Sequence, residues 1–216
     1  MSTTERYGHD YFERGIETGV SGYSNYRWIP ELTIPLCDSI ADWAGISKND
    51  TILDYGCAKG YIVNGFRLLH YKCFGVDISQ YAIDQALPET RQFVRLIDSV
   101  NEDVISMFGL NGMFDWIVCK DVLEHIDNDH LYDVLRFFKR SARSFAVIVP
   151  LGNGTTFNIP SYENDETHVI RRPLEWWSSM FKASGLSVMS KSYGESHIKD
   201  NYSMYENGNG FFLLGS

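Results

Sequence analysis

Thr51-Ile-Leu-Asp-Tyr-Gly-Cys-Ala-Lys-Gly60 is the stretch that decides the fold, and Phe74-Gly-Val-Asp-Ile-Ser79 completes the pattern. In both stretches a short apolar run ends in an acid, which is Asp54 in the first and Asp77 in the second. Such runs on either side of a helix-length segment predict two parallel strands, buried on both faces, with a helix between them. An acid at the end of the second strand can accept hydrogen bonds from both hydroxyls of a ribose. The pattern therefore predicts a nucleotide-like ligand in a doubly wound α/β domain.

Gly56 and Gly60 flank the loop between the first strand and its helix. Glycine suits this loop because it reaches positive φ and has no Cβ to block a ligand. The spacing Asp-x-Gly-x-x-x-Gly differs from the G-x-G-x-x-G of dinucleotide-binding folds, which place a pyrophosphate at a helix N-terminus. Asp54, two residues before Gly56, would repel a pyrophosphate but can receive an ammonium group, directly or through water. The loop thus favours a ligand other than a dinucleotide.

A second informative stretch is Phe114-Asp-Trp-Ile-Val-Cys-Lys-Asp-Val-Leu-Glu-His-Ile126. Its apolar part, from Trp116 to Cys119, predicts a central strand that is buried on both faces. The residues after it leave the strand at its carboxyl end, which is the edge where open α/β sheets bind ligands.

Residues 51–60 resemble motif I of the class I, Rossmann-like, S-adenosylmethionine (SAM)-dependent methyltransferases of the small-molecule type. Residues 114–126 resemble the fourth strand of that family and its Leu-Glu-His turn. The resemblance spans roughly residues 50–150 and is weaker over residues 151–216. Ala58 departs from the family pattern, which usually has glycine there, but alanine is small enough to be tolerated. The resemblance implies S-adenosyl-L-methionine as cofactor and S-adenosyl-L-homocysteine as product.

The implied fold is α/β and Rossmann-like, with a seven-stranded, doubly wound, mostly parallel sheet flanked by helices. The implied strand order is 3-2-1-4-5-7-6, with strand seven antiparallel. Residues 1–48 are expected to form an N-terminal arm and cap helix, and residues 49–216 the methyltransferase domain, with a substrate insertion at about 151–172. Strands are predicted over residues 51–55, 72–77, 92–97, 116–119, 145–149, 186–192 and 210–215, and helices over residues 31–44, 59–69, 80–86, 129–142 and 173–184.

The resemblance also assigns cofactor-binding residues to the loop and to the strand ends. In this family an acidic or polar residue after the third strand often binds the adenine amino group, which makes Asp98 a candidate; a turn aspartate facing solvent is the alternative. In the arm, Tyr23, Tyr26 and Arg27 either line the pocket or pack the arm onto the domain. The cofactor-binding candidates are Asp54, Gly56, Cys57, Ala58, Gly60, Asp77, Ile78, Asp98, Ser99, Cys119 and Lys120.

The predicted insertion contains Asn164-Asp-Glu-Thr-His168. By resemblance, His168 is the candidate general base, with Asp165 or Glu166 orienting it, since histidine is the natural base near neutral pH. A loop histidine can also simply anchor its loop. The resemblance places His125 just behind the methionine part of SAM, in either a structural or a catalytic role.

Charge and motifs restrict the acceptor. The net charge is −9 at pH 7, and phosphate binding needs clustered Lys and Arg. The Asn-Pro-Pro-Tyr motif expected of methyltransferases that act on nucleic-acid bases is absent after strand four. These features predict a small-molecule partner and no nucleic acid: the hydroxyl of a small polar acceptor, such as a sugar or sugar nucleotide. N-methylation of a small amine, or SAM binding without catalysis, are the alternatives.

The remaining patterns bear on metal, membrane and compartment. The four cysteines show neither C-x-x-C pairing nor metal spacing. Four acids (Asp121, Asp127, Asp129 and Asp165) are available, but their spacing is not diagnostic, so no metal is predicted. No apolar run approaches the roughly 20 residues of a membrane span, and the N-terminus lacks a hydrophobic signal region. A cytoplasmic monomer or homodimer without membrane contact is expected.

Overall fold

A seven-stranded sheet forms the centre of the computed structural model, which describes residues 6–216. The strand order is β3-β2-β1-β4-β5-β7-β6, and β7 runs antiparallel to β5 and β6. The predicted fold class and strand order are therefore confirmed. The strands are β1 (Thr51–Tyr55), β2 (Lys72–Asp77), β3 (Val94–Leu96), β4 (Phe114–Lys120), β5 (Ala142–Pro150), β6 (Ser187–Ser192) and β7 (Asn209–Gly215).

Helices cover the sheet on both sides. Most of their predicted positions are confirmed to within a turn, while the short helices α1, α2 and α6 were not predicted. Ser79 caps α5, because its Oγ accepts a hydrogen bond from the Ala82 amide. The helices are α1 (His9–Glu13), α2 (Gly15–Thr18), α3 (Pro30–Ala44), α4 (Tyr61–Leu68), α5 (Gln80–Asp84), α6 (Val104–Met107), α7 (Asn128–Ser141) and α8 (Leu174–Ala183).

Two element boundaries differ from prediction for local reasons. The helix after β1 begins at Tyr61 rather than at residue 59, because Gly60 adopts a left-handed conformation with φ 74°. Strand β3 is shorter than predicted, because Arg91–Phe93 form a 3₁₀ turn ahead of it.

The core lies in two layers, one on each face of the sheet. One layer contains Phe114, Phe138 and Phe145, and the other contains Ile52 and Phe211. Successive side chains of a strand point to opposite faces, so a strand covered on both sides contributes to both layers. This packing holds the carboxyl ends of β1, β2 and β4 in fixed positions next to one another.

The arm packs onto the domain through aromatic side chains. Tyr11 and Phe12 are buried together with Ala82, at the start of α5. Lys59 joins the arm to the loop after β1, since its Nζ forms an ion pair with Glu13 and donates to the carbonyl of Tyr26 at 2.7 Å. Residues 1–5 of the predicted arm lie outside the described residues, and the division at residue 48 stays a prediction.

No helix among residues 6–216 combines the length and the apolar character needed to cross a membrane. All four cysteines lie within these residues, and each is buried and free. The compartment and the oligomeric state stay predictions.

Candidate active site

A cavity of about 390 Å³ opens at the carboxyl ends of the parallel strands. Six of the predicted cofactor residues line it, and the arm covers it with aromatic rings. We call it the cofactor cavity. The six predicted residues are Gly56, Ala58, Asp77, Ile78, Asp98 and Ser99, and the arm contributes Tyr7, Tyr11, Phe12 and Tyr23.

Asp77 organises the loop that forms the floor of this cavity. Its Oδ2 accepts a hydrogen bond from the Ala58 amide at 2.7 Å, and its Oδ1 accepts one from the Ser79 amide at 2.8 Å. Burial nevertheless raises the pKa of Asp77, against the lowering effect of these backbone donors. A carboxylate has about four lone-pair sites, so Asp77 can still accept bonds from ribose hydroxyls.

Ala58 adopts the conformation that the family's usual glycine would have. Its φ is 48°, and the flanking Gly56 has φ 80°. A left-handed conformation costs a residue with a Cβ about 1–2 kcal/mol. The hydrogen bond from the Ala58 amide to Asp77 holds the loop in this shape, so the departure from the family pattern leaves the loop geometry intact.

Asp54 is a buried acid whose Oδ2 has no hydrogen-bond partner among the described residues. Only 2% of the surface of Asp54 is exposed to solvent. Burial, with a smaller contribution from Asp77, raises the pKa of Asp54 to about 8. Asp54 does not itself line the cofactor cavity, but Tyr55 and Gly56, which follow it, do. An unpartnered carboxylate oxygen next to this loop fits the ammonium group of the methionine part of SAM, so the residues present are compatible with this cofactor.

Four other predicted cofactor residues do not line the cavity. Cys119 is fully buried in a core layer, because it alternates with its strand neighbours. Cys57 packs against Gly75 on the far side of the loop, and Gly60 lies against Val94. Cys57, Gly60 and Cys119 line neither space, and Lys120 lines the neighbouring groove, so their part in cofactor binding stays a prediction.

We expect Gly75→Ala to lower both stability and SAM affinity. A Cβ at Gly75 would lie 2.7 Å from Cβ of Cys57 and 2.7 Å from Cγ2 of Val63, so the loop must shift. Overpacking of this kind costs about 1–3 kcal/mol. Thermal unfolding and SAM titration measure the two effects. Gly112→Ala is the matched control, because a Cβ there meets no atom within 4 Å. Equal melting temperatures for the two variants would contradict the expectation.

A larger groove of about 1150 Å³ lies beside the cofactor cavity, and we call it the acceptor groove. It runs between the arm, α3 and the segments after β5 and β6. Of the predicted arm residues, Tyr23 lines both spaces, Tyr26 packs within the arm, and Arg27 is exposed and lines neither. The two spaces share Tyr11, Tyr23, Asp121 and His125.

Glu124, His125 and His168 meet at the groove wall, and we call them the Glu-His-His cluster. Glu124 and His125 lie in a 3₁₀ turn after β4, and His168 lies in the segment after β5. The amides of Val169 and Ile170 donate to the Glu124 carbonyl at 2.8 and 3.0 Å, which holds that segment against the turn. The structure thus brings together two of the predicted catalytic residues with a glutamate that sequence reasoning did not assign.

Asp165 orients His125 rather than His168, which corrects the predicted pairing. The hydroxyl of Thr167 donates to Asp165 Oδ1 and lies 2.7 Å from His125 Nδ1, while Tyr11 donates to Asp165 Oδ2 at 2.8 Å. His168 is instead held through Nδ1, 2.7 Å from the Tyr162 carbonyl. Glu166, the other residue proposed to orient His168, is exposed.

Burial controls the charge state of the cluster. It raises the pKa of Glu124 well above its usual range, and the nearby Asp121 acts in the same direction. Burial, with help from His168, lowers the pKa of His125 to about 4. His125 is therefore neutral at physiological pH.

Asp121 sits between two lysines at the end of β4. It has φ 57° and forms ion pairs with Lys120 and Lys199. Burial acts to raise the pKa of Asp121, but the two lysines outweigh it and hold that pKa far below its usual range. Lys199 also donates to the Tyr162 hydroxyl at 2.8 Å and to Asn209 Oδ1 at 2.9 Å. Sequence reasoning missed Lys199, which lies in a segment without a motif.

The chain matches a family model described as a methyltransferase domain over residues 30–194. A curated relative from Bacillus cereus, named an uncharacterized RNA methyltransferase, is 33% identical over 87 residues, which cover 39% of this chain and 19% of the relative. A SAM-dependent methyltransferase from Clostridium acetobutylicum has a similar structure (TM-score 0.60, 14% identity, 85% of this chain and 91% of that one). So does the methyltransferase domain of bacterial CtHen1 (TM-score 0.60, 19% identity, 86% and 100%).

The family match covers most of the chain and includes β1, β4 and the glycine loop. The chain therefore belongs to the class I SAM-dependent methyltransferases, and its cofactor is SAM. The matched segment spans about a fifth of the Bacillus cereus relative.

Proposed function

We propose that this protein transfers the methyl group of SAM to a hydroxyl of a small polar acceptor, such as a sugar or a sugar nucleotide. The observation that carries the proposal is the position of the Glu-His-His cluster. Its member His125 lines both the cofactor cavity and the acceptor groove. A hydroxyl bound in the groove beside this cluster would lie between a methyl donor and a set of proton acceptors.

Each part of SAM has residues suited to hold it. Asp77 would hold the ribose, Asp98 and Ser99 the adenine, and Asp54 the ammonium group, while the glycine loop leaves space for the methionine part. SAM supplies a sulfonium whose methyl group is ready for transfer. The protein's contribution is to hold the acceptor oxygen in line with the methyl carbon and the sulfur, and to exclude water.

In the transfer step a lone pair of the acceptor oxygen forms the new O–C bond. The C–S bond breaks, and its electron pair stays on sulfur. The hydroxyl proton passes to the Glu-His-His cluster, in which Nε2 of His168 is the accepting atom. A positioned base of this kind contributes about 10²–10⁴-fold to rate.

The lining of the groove supports a neutral polar acceptor. The lining combines aromatic rings with short polar side chains, and both suit the faces and hydroxyls of a sugar. Its acids exceed its cations, which disfavours a polyanion. The polar and aromatic residues of the lining include Tyr11, Tyr23, Glu31, Asp38, Tyr162, Asn164, Asp165, Asp200, Asn201 and Tyr202.

Transfer of labelled methyl from SAM to a panel of acceptors tests the proposal. The panel contains sugars, sugar nucleotides, small amines and, because of the name of the Bacillus cereus relative, RNA. We expect label in a hydroxyl-bearing compound, as an ether stable to acid and to base. Label in amines or RNA alone would contradict the proposed acceptor. SAM binding without label in any compound would favour a non-catalytic SAM-binding protein.

A further inference from the structure

Three acceptor atoms meet in the Glu-His-His cluster, and the Glu124 carboxyl itself can carry a proton among them, because burial raises its pKa. Both carboxylate oxygens of Glu124 are buried and have no hydrogen-bond partner among the described residues. The Glu124 side chain is 1% exposed, and those of His125 and His168 are 13% and 8% exposed. Leaving such a carboxylate unpaired is costly, so native proteins normally give it a partner.

The hydrogen bonds of the two histidines fix which ring nitrogen carries a lone pair. Nδ1 of His168 faces the Tyr162 carbonyl, which can only accept, so Nδ1 carries the proton. The single proton of the Thr167 hydroxyl goes to Asp165, so Nδ1 of His125 donates to Thr167. Each histidine therefore presents a bare Nε2 lone pair.

The two Nε2 atoms lie close to the same carboxylate oxygen, Oε1 of Glu124. Nε2 of His125 lies 3.9 Å from Glu124 Oε1, and Nε2 of His168 lies 3.8 Å from it. All three ligand atoms lie within 4.8 Å of one another. Ligand atoms around a tetrahedral ion, at about 2.1 Å from it, lie about 3.4 Å apart. The cluster therefore needs only a small contraction to reach coordination geometry.

We propose that Glu124, His125 and His168 bind a divalent first-row transition-metal cation such as Zn²⁺ or Mn²⁺. Imidazole nitrogens favour such ions over Mg²⁺ and Ca²⁺, which prefer oxygen ligands. Three protein ligands leave coordination positions open, as in catalytic rather than structural sites. All three residues line the acceptor groove, so the open positions face it.

The surroundings of the cluster have the form of a metal site's outer shell. Ligating histidines usually donate their other N–H to a carbonyl, a carboxylate or a hydrogen-bonded relay, and both do so here. The chain from His125 through Thr167 to Asp165 ends at the hydroxyl of Tyr11 in the arm. The site was not predicted from sequence, where only Asp121, Asp127, Asp129 and Asp165 were considered and no metal was expected.

The inference deepens the proposed function and rests on it where it concerns the acceptor. An ion here would hold the acceptor hydroxyl and lower its pKa. The proton then passes to water in the groove, the oxygen lone pair forms the bond to the methyl carbon, and the C–S pair returns to sulfur. With the ion bound, His168 serves as a ligand, and the bound hydroxyl needs no histidine base.

Calorimetric titration of the chelator-treated full chain with Zn²⁺ tests the site. We expect one tight ion per chain in the wild type, and at least tenfold weaker binding in Glu124→Gln and His168→Gln. Thr167→Val removes the hydroxyl that links His125 to Asp165, without touching a proposed ligand, and should weaken binding by about 10–100-fold. His9→Gln is the matched control, because it removes an exposed histidine that lies 3.3 Å from Asp10 and lines neither the cofactor cavity nor the acceptor groove. It should leave the tight site unchanged.

Far-ultraviolet circular dichroism and melting temperature, recorded on each sample, identify any variant that has unfolded, and Thr167→Val, an isosteric change, then decides. The proposal is overturned if wild type binds no tight Zn²⁺, or if folded Glu124→Gln and Thr167→Val bind it as well as wild type. SAM titration of the same samples keeps the two proposals separate. Failure to bind SAM would refute the proposed function while leaving the metal result readable.

Discussion

Asp54→Asn will make the cofactor-free protein more stable and its affinity for SAM weaker. Asp54 is ionised at pH 8 or above at a considerable cost, because burial raises its pKa to about 8 in the folded protein. The same buried charge is what a SAM ammonium group would pair with. One substitution should therefore shift stability and affinity in opposite directions, which is a combination that a merely structural aspartate would not produce.

The pH dependence of this effect has a definite sign. A carboxyl whose pKa is raised by folding makes the folded protein bind more protons than the unfolded chain, so stability falls as pH rises from about 4 to about 8. At pH 7 the folded protein keeps a proton on Asp54 that the unfolded chain would release, and this lowers its stability by about 4 kcal/mol. The asparagine amide leaves a buried donor that costs about 1–3 kcal/mol, so the net gain is about 1–3 kcal/mol, and it grows between pH 5.5 and pH 8.

Urea unfolding of both proteins at the two pH values measures the stability, and calorimetry measures SAM affinity. Loss of a charge-assisted contact should weaken SAM binding by about 1.5–3 kcal/mol, or roughly 10–150-fold. A variant that is less stable than wild type at pH 8, or that binds SAM equally well, would show that Asp54 is not the acceptor of the ammonium group.

His168→Asn will lower turnover by about 10²–10⁴-fold with the acceptor found in the methyl-transfer screen. The reason is the same whether Nε2 of His168 takes the hydroxyl proton or binds an ion, since asparagine supplies neither a base nor a comparable ligand. SAM affinity should stay within about threefold of wild type, because His168 lines the acceptor groove and not the cofactor cavity.

His70→Asn is the control for this variant, because His70 is exposed and lines neither space. Initial rates at saturating SAM, with the acceptor varied, separate an effect on kcat from one on KM. Unchanged turnover in a folded His168→Asn protein would remove His168 from the chemistry. Its remaining role would be to anchor the segment after β5 through the Tyr162 carbonyl.

The sheet and the cofactor loop could be predicted because their signals are local. Asp54 and Asp77 lie near the ends of two strands that pair in parallel, and Gly56 directly follows the first of them. A buried strand that ends in an acid is typical of an open α/β sheet. The order of the strands came from the resemblance to the methyltransferase family. It was harder to predict which loop residues line the cavity. Cys57 and Ala58 are adjacent, yet only Ala58 lines the cofactor cavity.

The rest of the site depends on contacts between distant segments. Thr167 meets His125 across 42 residues, and Lys199 meets Asp121 across 78 residues. Nothing in the local pattern sets these pairs. The first pair depends on the path of the segment after β5, which the Glu124 carbonyl holds in place, and the second on the path of the segment after β6. The resemblance suggested that Asp165 or Glu166 orients His168, but side chains two or three residues apart in an irregular segment need not face each other.

Calorimetric titration of wild type and Asp77→Ala with SAM and S-adenosylhomocysteine is the most direct measurement. We expect micromolar binding to wild type and binding weaker by about tenfold or more in Asp77→Ala, because a charge-assisted ribose contact is worth about 1.5–3 kcal/mol. Asp84→Ala, which removes an exposed acid outside the cavity, should bind like wild type. Absence of binding to folded wild type, or equal binding by Asp77→Ala, would contradict the assignment of the cofactor cavity to SAM.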